Sequence, residues 1–360
     1  MTKSVADRSG GRPPFRPGPG TSAEAAAERV RALGRAPARA PGGWLPRAVE
    51  RVHERVRGHR DWIEPLRAAL QASVIGREHL LNRLLVALVA GRPLLVQGGP
   101  GLSKSLSLRA LATATGLEHR GIRLDPESTR QDLILPGEGH HLGPLFANLL
   151  LVEDLDDAPR RVQDALLEAA WSGRLAPDSE RLDLPTPFLL VATERPDCRP
   201  GAWPLRDAVL DRFFLRVELD YPSARDERAI LDRAAAEATP IVDPSRLREA
   251  RVLVEQIHLD ERIKDYIVSL VHATREPAHY GLGLADALDH GVSPRATRDL
   301  ERASQAVAFL RGGAYVRTSD VEAIWADVVG HRLGLSPAAV AAERTGRDIA
   351  AAILAGVPAP

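Results

Sequence analysis

The 360-residue chain is 44% hydrophobic and 27% charged, and its lysine plus arginine and aspartate plus glutamate balance at 48 each, so global charge steers it toward neither nucleic acid nor a membrane surface. A single cysteine, Cys198, excludes an internal disulfide framework and a cysteine-rich metal site. No run of about 18 apolar residues occurs and no apolar segment follows the N-terminal basic residues, so a soluble cytoplasmic protein of about two or three domains is expected.

In chain order, residues 1–45 are rich in Gly, Pro, Arg and Ala, lack a sustained apolar period and read as a disordered basic arm. Pro46–Arg60 and Asp61–Leu70 have helical periods, as does Arg77–Ala90 until Gly91-Arg92-Pro93 breaks it. Leu94–Val96 is an apolar run with the character of a buried strand. It meets a glycine-rich turn, Gly98-Gly99-Pro100-Gly101-Leu102-Ser103, after which Lys104-Ser105-Leu106 opens a helix reaching Thr115. This is the order of a phosphate-binding loop. Glycines let backbone N–H groups curl round a phosphate, the helix N-terminus adds its positive end, Lys104 reaches the β- and γ-phosphates, and the Ser105 hydroxyl ligates magnesium. The pattern G-x-x-x-x-G-K-[ST] is broken once, because Ser103 takes the place of its last glycine; a serine fits there if its φ is negative.

Gly121–Leu124 supplies a second strand, Asn148–Val152 a third closed by Glu153-Asp154, Phe188–Ala192 a fourth and Arg212–Leu219 a fifth, with a helix over Arg161–Trp171. Strands separated by helical stretches describe an open parallel α/β sheet. Beyond Tyr221-Pro222-Ser223 the strand signal ends, and Ala224–Ala236, Pro244–Ile257, Glu261–Thr274, Ser293–Leu310, Ser319–Val328 and Arg347–Leu354 are all of helical period. The expected organisation is a basic arm (1–45), an α/β nucleotide-binding domain (46–222) and an α-helical domain (223–360). In an open parallel sheet the nucleotide lies outside the strand C-termini, where Lys104-Ser105 meets Glu153-Asp154. One of these carboxylates is expected to hold Mg²⁺ with Ser105, and the other to orient the attacking water. The adjacent His140 and His141 share no face and have no convergent carboxylates, which argues against a metal there; Cys198 has no base at recognisable spacing and reads as an inert thiol.

The run Gly143-Pro144-Leu145-Phe146-Ala147-Asn148, then Ala158-Pro159 and Gln163-Asp164-Ala165-Leu166-Leu167-Glu168-Ala169, resembles the MoxR family of AAA+ ATPases. So do Trp203-Pro204-Leu205, Leu210-Asp211-Arg212-Phe213, Ser293-Pro294-Arg295-Ala296-Thr297 and the closing Val357-Pro358. The resemblance covers residues 62–360 and implies a P-loop NTPase domain followed by a smaller all-α lid, ATP and Mg²⁺ as cofactors, and assembly as a homo-oligomeric, hexameric ring. It implies that Val74-Ile75-Gly76-Arg77 contacts adenine, that Arg212 is the arginine finger presented to a neighbour's γ-phosphate, and that Arg295 is the sensor-2 arginine. Arginine forks suit phosphate oxygens, and a finger supplied in trans accounts for a ring.

The departures are as informative. The family's Asp-Glu pair is exchanged to Glu153-Asp154, and a water-orienting carboxylate short by about 1.5 Å is expected to slow hydrolysis on the order of a hundredfold. The sensor-1 asparagine that helps hold the attacking water aligns with Arg195, which can bind a phosphate oxygen but cannot accept a hydrogen bond from water. Two readings follow: an ATPase whose ring remodels a client protein, as MoxR relatives do for partners with a von Willebrand factor A domain, or a hydrolysis-impaired ATP-binding assembly module. Basic pore loops for a DNA-directed motor are not found, so nucleic acid is not an expected partner.

Overall fold

The structure is a computed structural model that describes residues 47–135, 143–175, 182–196, 205–232 and 239–360; the basic arm, His140, His141, Cys198 and Trp203-Pro204 lie outside them. Helices α1 (Arg47–Arg57), α2 (Arg60–Ser73) and α3 (Glu78–Ala90) precede strand β1 (Leu94–Gly98). There follow α4 (Lys104–Thr115), β2 (His119–Arg123), β3 (Leu149–Glu153), α5 (Arg160–Ser172), β4 (Leu189–Glu194) and β5 (Leu215–Leu219). The remainder is helical: α6 (Ala224–Leu231), α7 (Pro244–Gln256), α8 (Glu261–Arg275), α9 (Pro294–Leu310), α10 (Thr318–Val329) and α11 (Gly346–Gly356).

The five strands form one sheet in the order β2-β3-β4-β1-β5, every pair parallel. Its central strands are continuous apolar runs because both faces are covered. Leu94, Val96, Leu149, Leu151, Leu189, Val191, Leu215 and Val217 enter one core; Leu95, Leu150, Val152, Leu190 and Ala192 enter the other, against Val162, Leu166 and Leu167 of α5 or its first turn. The period of two in strand side chains produces this division. The first core is continuous with the C-terminal helices: Leu84 and Leu88 of α3 share it with Leu253, Leu300, Phe309, Trp325 and Ile353. The helical part is therefore seated on α3, behind the sheet.

Two features differ from the periodicity. The fifth strand begins at Leu215, and Arg212 lies in the turn that follows a short helix, Asp207–Leu210. Within the helical C-terminal part, Leu288–His290 makes one short antiparallel pair with Gly334–Leu335. Pieces of two or three residues are too short to register as alternation.

Candidate nucleotide site

The register sets the C-terminal ends of three strands at one level. Val96 is paired with Thr193 and Val152 with Ala192, so Gly98, the pair Glu153-Asp154, and Arg195 emerge side by side. Between them lies a cavity of about 500 Å³ lined by Gly98 and the run from Pro100 to Leu106, by Glu153 and Asp154, and by Arg123, Thr193 and Arg195.

Lys104 opens α4, and its Nζ donates to the carbonyls of Gly98 and Gly99 at 2.7 and 2.8 Å. Burial lowers its pKa, against the raising influence of Asp154 and Glu153. The condition of a negative φ at Ser103 is not met: its φ is 60° and ψ 22°, in the left-handed region. The loop keeps a shape that glycine adopts freely and that an L side chain bears at about 1–2 kcal/mol. What holds Ser103 there is the first turn of α4, since its carbonyl accepts from the backbone N–H of Ser107 at 2.9 Å and from the Ser107 hydroxyl at 2.8 Å.

Both acids are engaged. Ser105 donates its hydroxyl to Glu153 Oε1 at 2.7 Å, and Arg123, at the end of β2, donates to Glu153 Oε2 at 3.1 Å. Asp154 is left-handed as well, with φ 59°, and its N–H donates to Thr193 Oγ1 at 3.1 Å. Its carboxylate is held by the fork of Arg195, Nε to Oδ1 at 3.1 Å and Nη2 to Oδ2 at 2.5 Å. Arg123 Nε is a further 3.4 Å from Oδ2, and Arg195 Nη2 is 3.2 Å from Asp157. Hydrogen bonding to Asp154 raises the pKa of Arg195. Beside it Glu194 is 8% exposed, and burial pushes its carboxyl up to about 7 although Arg216 Nε stands 2.9 Å away.

Arg212 and Arg295 do not line this cavity. They are brought together elsewhere, around Trp171 of α5. Arg212 donates to Asp164 Oδ1 at 3.2 Å and accepts the Trp171 indole N–H on its carbonyl at 2.8 Å. Arg295, in the first turn of α9, is 3.6 Å from Asp211 Oδ2, with its guanidinium carbon 5.7 Å from the centre of the Trp171 ring. His331 and Arg332, after α10, both donate to the carbonyl of Phe213, so the helical part clasps the turn that carries Arg212. Val74 is buried in the first core and Ile75 is half-buried; neither lines the cavity. Their turn is tied to the chain beyond β5, where Arg77 donates to the Asp220 carbonyl at 2.8 Å.

The family model described as ATPase family associated with various cellular activities (AAA) matches residues 93–215, and an AAA lid domain model matches residues 284–353. Chaperone MoxR1 of Mycobacterium tuberculosis is 32% identical over 282 residues, 75% of either chain. The chain belongs to the MoxR family of AAA+ ATPases. Protein MoxR of Paracoccus denitrificans is 30% identical over 315 residues, 77% of this chain and 91% of that one. A crystal structure of a candidate ATPase from Cytophaga hutchinsonii superposes with a TM-score of 0.79 at 30% identity, over 87% of this chain and 98% of its own.

As a MoxR-family site, the cavity has the donor set for a magnesium nucleotide. A hydroxyl (Ser105) and a carboxylate (Glu153) are hard oxygen donors of the kind that take magnesium together with substrate phosphates. Among the described residues no group of three or more His, Cys, Asp or Glu side chains could hold a metal unaided, and no helix is long and apolar enough to cross a membrane. Two neighbours of the site were not legible in the sequence. Arg123 reaches both acids only because its strand is paired in register with β3, Arg123 beside Glu153. Tyr221 is 79% exposed, and its hydroxyl stands 3.9 Å from where a Gly99 side chain would begin. No local motif announces either contact.

Proposed function

We propose that this MoxR-family protein binds ATP with magnesium in the cavity between the Lys104 loop and Glu153-Asp154, hydrolyses it in a homo-oligomeric ring, and uses the cycle to remodel a client protein. Six copies are the proposed stoichiometry, and a protein with a von Willebrand factor A domain is the proposed client. The observation that carries the reading is the separation of two groups: Lys104, Ser105 and Glu153 share one cavity, while Arg212 and Arg295 share another place on the same chain. This separation supports a phosphate site that a second copy completes.

In the assembled site Ser105 and Glu153 would hold the magnesium ion, which when bound would neutralise phosphate charge. Lys104 exchanges the loop carbonyls for phosphate oxygens. Asp154 takes a hydrogen bond from the attacking water, whose oxygen forms a bond to the γ-phosphorus as the bond to the bridging oxygen of ADP breaks. Arg212 and Arg295 of an adjoining copy take the charge that develops on the phosphate.

Thermal unfolding with and without Mg-ATP tests the site. The wild type is expected to gain stability with nucleotide concentration, and Lys104→Ala to lose that gain. An equal gain in Lys104→Ala rejects the loop assignment. Steady-state turnover on the same protein separates the ATPase from the hydrolysis-impaired assembly module, which binds and does not turn over.

A further inference from the structure

We infer that Arg195 is an exchangeable latch: with no triphosphate its fork holds Asp154, and the terminal phosphate of a nucleoside triphosphate draws the fork away and frees that carboxylate for water. The inference rests on the reading that a nucleotide occupies this cavity, and adds to it how the cavity tells a triphosphate from a diphosphate.

Three observations carry it. First, both oxygens of Asp154 are committed to guanidinium groups, Oδ1 to Arg195 Nε and Oδ2 to Arg195 Nη2, with Arg123 close to the latter. A carboxylate held in this two-point way is a weaker acceptor for a water, because the fork takes about two of its four lone-pair directions and offsets its charge. Second, the backbone of Asp154 is left-handed and its N–H is bonded to Thr193, which fixes where the side chain leaves the strand end. In the proposed release it is the longer arginine side chain that moves. Third, Arg195 is placed to meet a phosphate. It follows the last residue of β4 and lines the same cavity as Lys104 and Ser105, and its Nη2 also stands 3.2 Å from a second acid, Asp157.

The exchange is chemically matched. A phosphate presents the same pair of anionic oxygens to a guanidinium as a carboxylate does, and with greater charge. A diphosphate ends before this position and leaves the fork on Asp154. The two departures from the family pattern thereby become one device: an arginine where water-holding asparagine is usual, paired with a short acid that it restrains.

Calorimetric titration of the full chain with Mg-AMP-PNP and with Mg-ADP tests the latch, in the wild type, Arg195→Gln and Asp154→Asn. Arg195→Gln is expected to reduce the preference for AMP-PNP over ADP by about tenfold or more, ADP affinity changing by less than about threefold. Asp154→Asn, which unburdens the fork without removing it, is expected to tighten AMP-PNP several-fold and leave ADP unchanged. An unaltered AMP-PNP to ADP ratio in both variants overturns the latch while leaving the nucleotide site standing. If the wild type takes up neither nucleotide, the site itself falls and the latch with it. Should Arg195→Gln fail to fold, Asp154→Asn decides alone, since weaker or unchanged AMP-PNP binding in it contradicts the exchange.

Discussion

Ser293 donates its hydroxyl to Asp211 Oδ1 at 2.7 Å, joining the first turn of α9 to the turn that carries Arg212 across 82 residues of sequence. The same hydroxyl accepts the N–H of Arg295 at 3.3 Å, so one side chain caps the helix and grips the acid beside Arg212. Arg332 adds a buried contact to Asp299 at 2.6 Å and lies 3.8 Å from Asp211. The helical part and the Arg212 turn are thereby joined by charge-assisted bonds, and a movement of one carries the other.

Removing that join is predicted to be costly in two ways. Ser293→Ala loses a helix cap and a hydroxyl bond to a carboxylate, together about 2 kcal/mol, to be read from urea unfolding. It is also expected to lower ATP turnover by more than nucleotide affinity, because Asp211 stands beside Arg295 and next to Arg212 in the chain, and neither arginine lines the chain's own cavity. Equal losses in turnover and affinity would show the join to be structural only.

Ser103 offers the opposite sign. Its left-handed φ of 60° is a strain that glycine does not bear. Ser103→Gly relieves about 1–2 kcal/mol in the folded state and adds about 0.5–1 kcal/mol of unfolded-state entropy, leaving a net gain near 0.5–1 kcal/mol. Differential scanning calorimetry is expected to show a higher Tm. A lower one would mean that the serine hydroxyl contributes a contact that outweighs the strain.

The sheet and the helices were legible because their signals are local. Leu94, Leu149 and Leu189 start or adjoin unbroken apolar runs, and α4 begins at the predicted Lys104. That the Lys104 loop faces Glu153-Asp154 was equally plain, since both stand at the ends of strands whose order the chain gives. The grip of Arg195 on Asp154 was not, because it joins residues 41 apart whose proximity depends on strand register. The sign of φ at Ser103 was not legible for a related reason. Side-chain size governs the choice of residue at such a turn, but the following helix fixes the backbone, and here the helix prevails.

Glu194 gives a pH dependence. Burial pushes its carboxyl up to about 7 from 4.5, with Arg216 opposing and Asp156 and Glu218 reinforcing. The folded chain thus keeps a proton that the unfolded chain releases between these values. This contribution to stability is complete below about pH 4.5 and declines as pH rises to about 7, by about 3 kcal/mol in all, then stays level. Glu194→Gln cannot ionise, so its unfolding free energy is expected to exceed that of the wild type above pH 7 and to match it near pH 4.5. Parallel pH profiles for the two proteins would place the titration elsewhere.

The last prediction concerns where the finger acts. Arg212 is tied to Asp164 and Arg295 stands beside Asp211, both apart from the cavity that Lys104 lines. In the proposed head-to-tail ring this face of one copy meets the cavity of the next. Lys104→Ala and Arg212→Ala are each expected to abolish turnover, for different halves of the site. Mixed in equal amounts, about one quarter of the sites then join an intact loop from an Arg212→Ala copy to an intact finger from a Lys104→Ala copy. Turnover is expected to reappear in the mixture and to vary with the mixing ratio, peaking near equality. If activity stays absent at every ratio while wild-type copies turn over, the two arginines serve their own chain and the shared site is refuted.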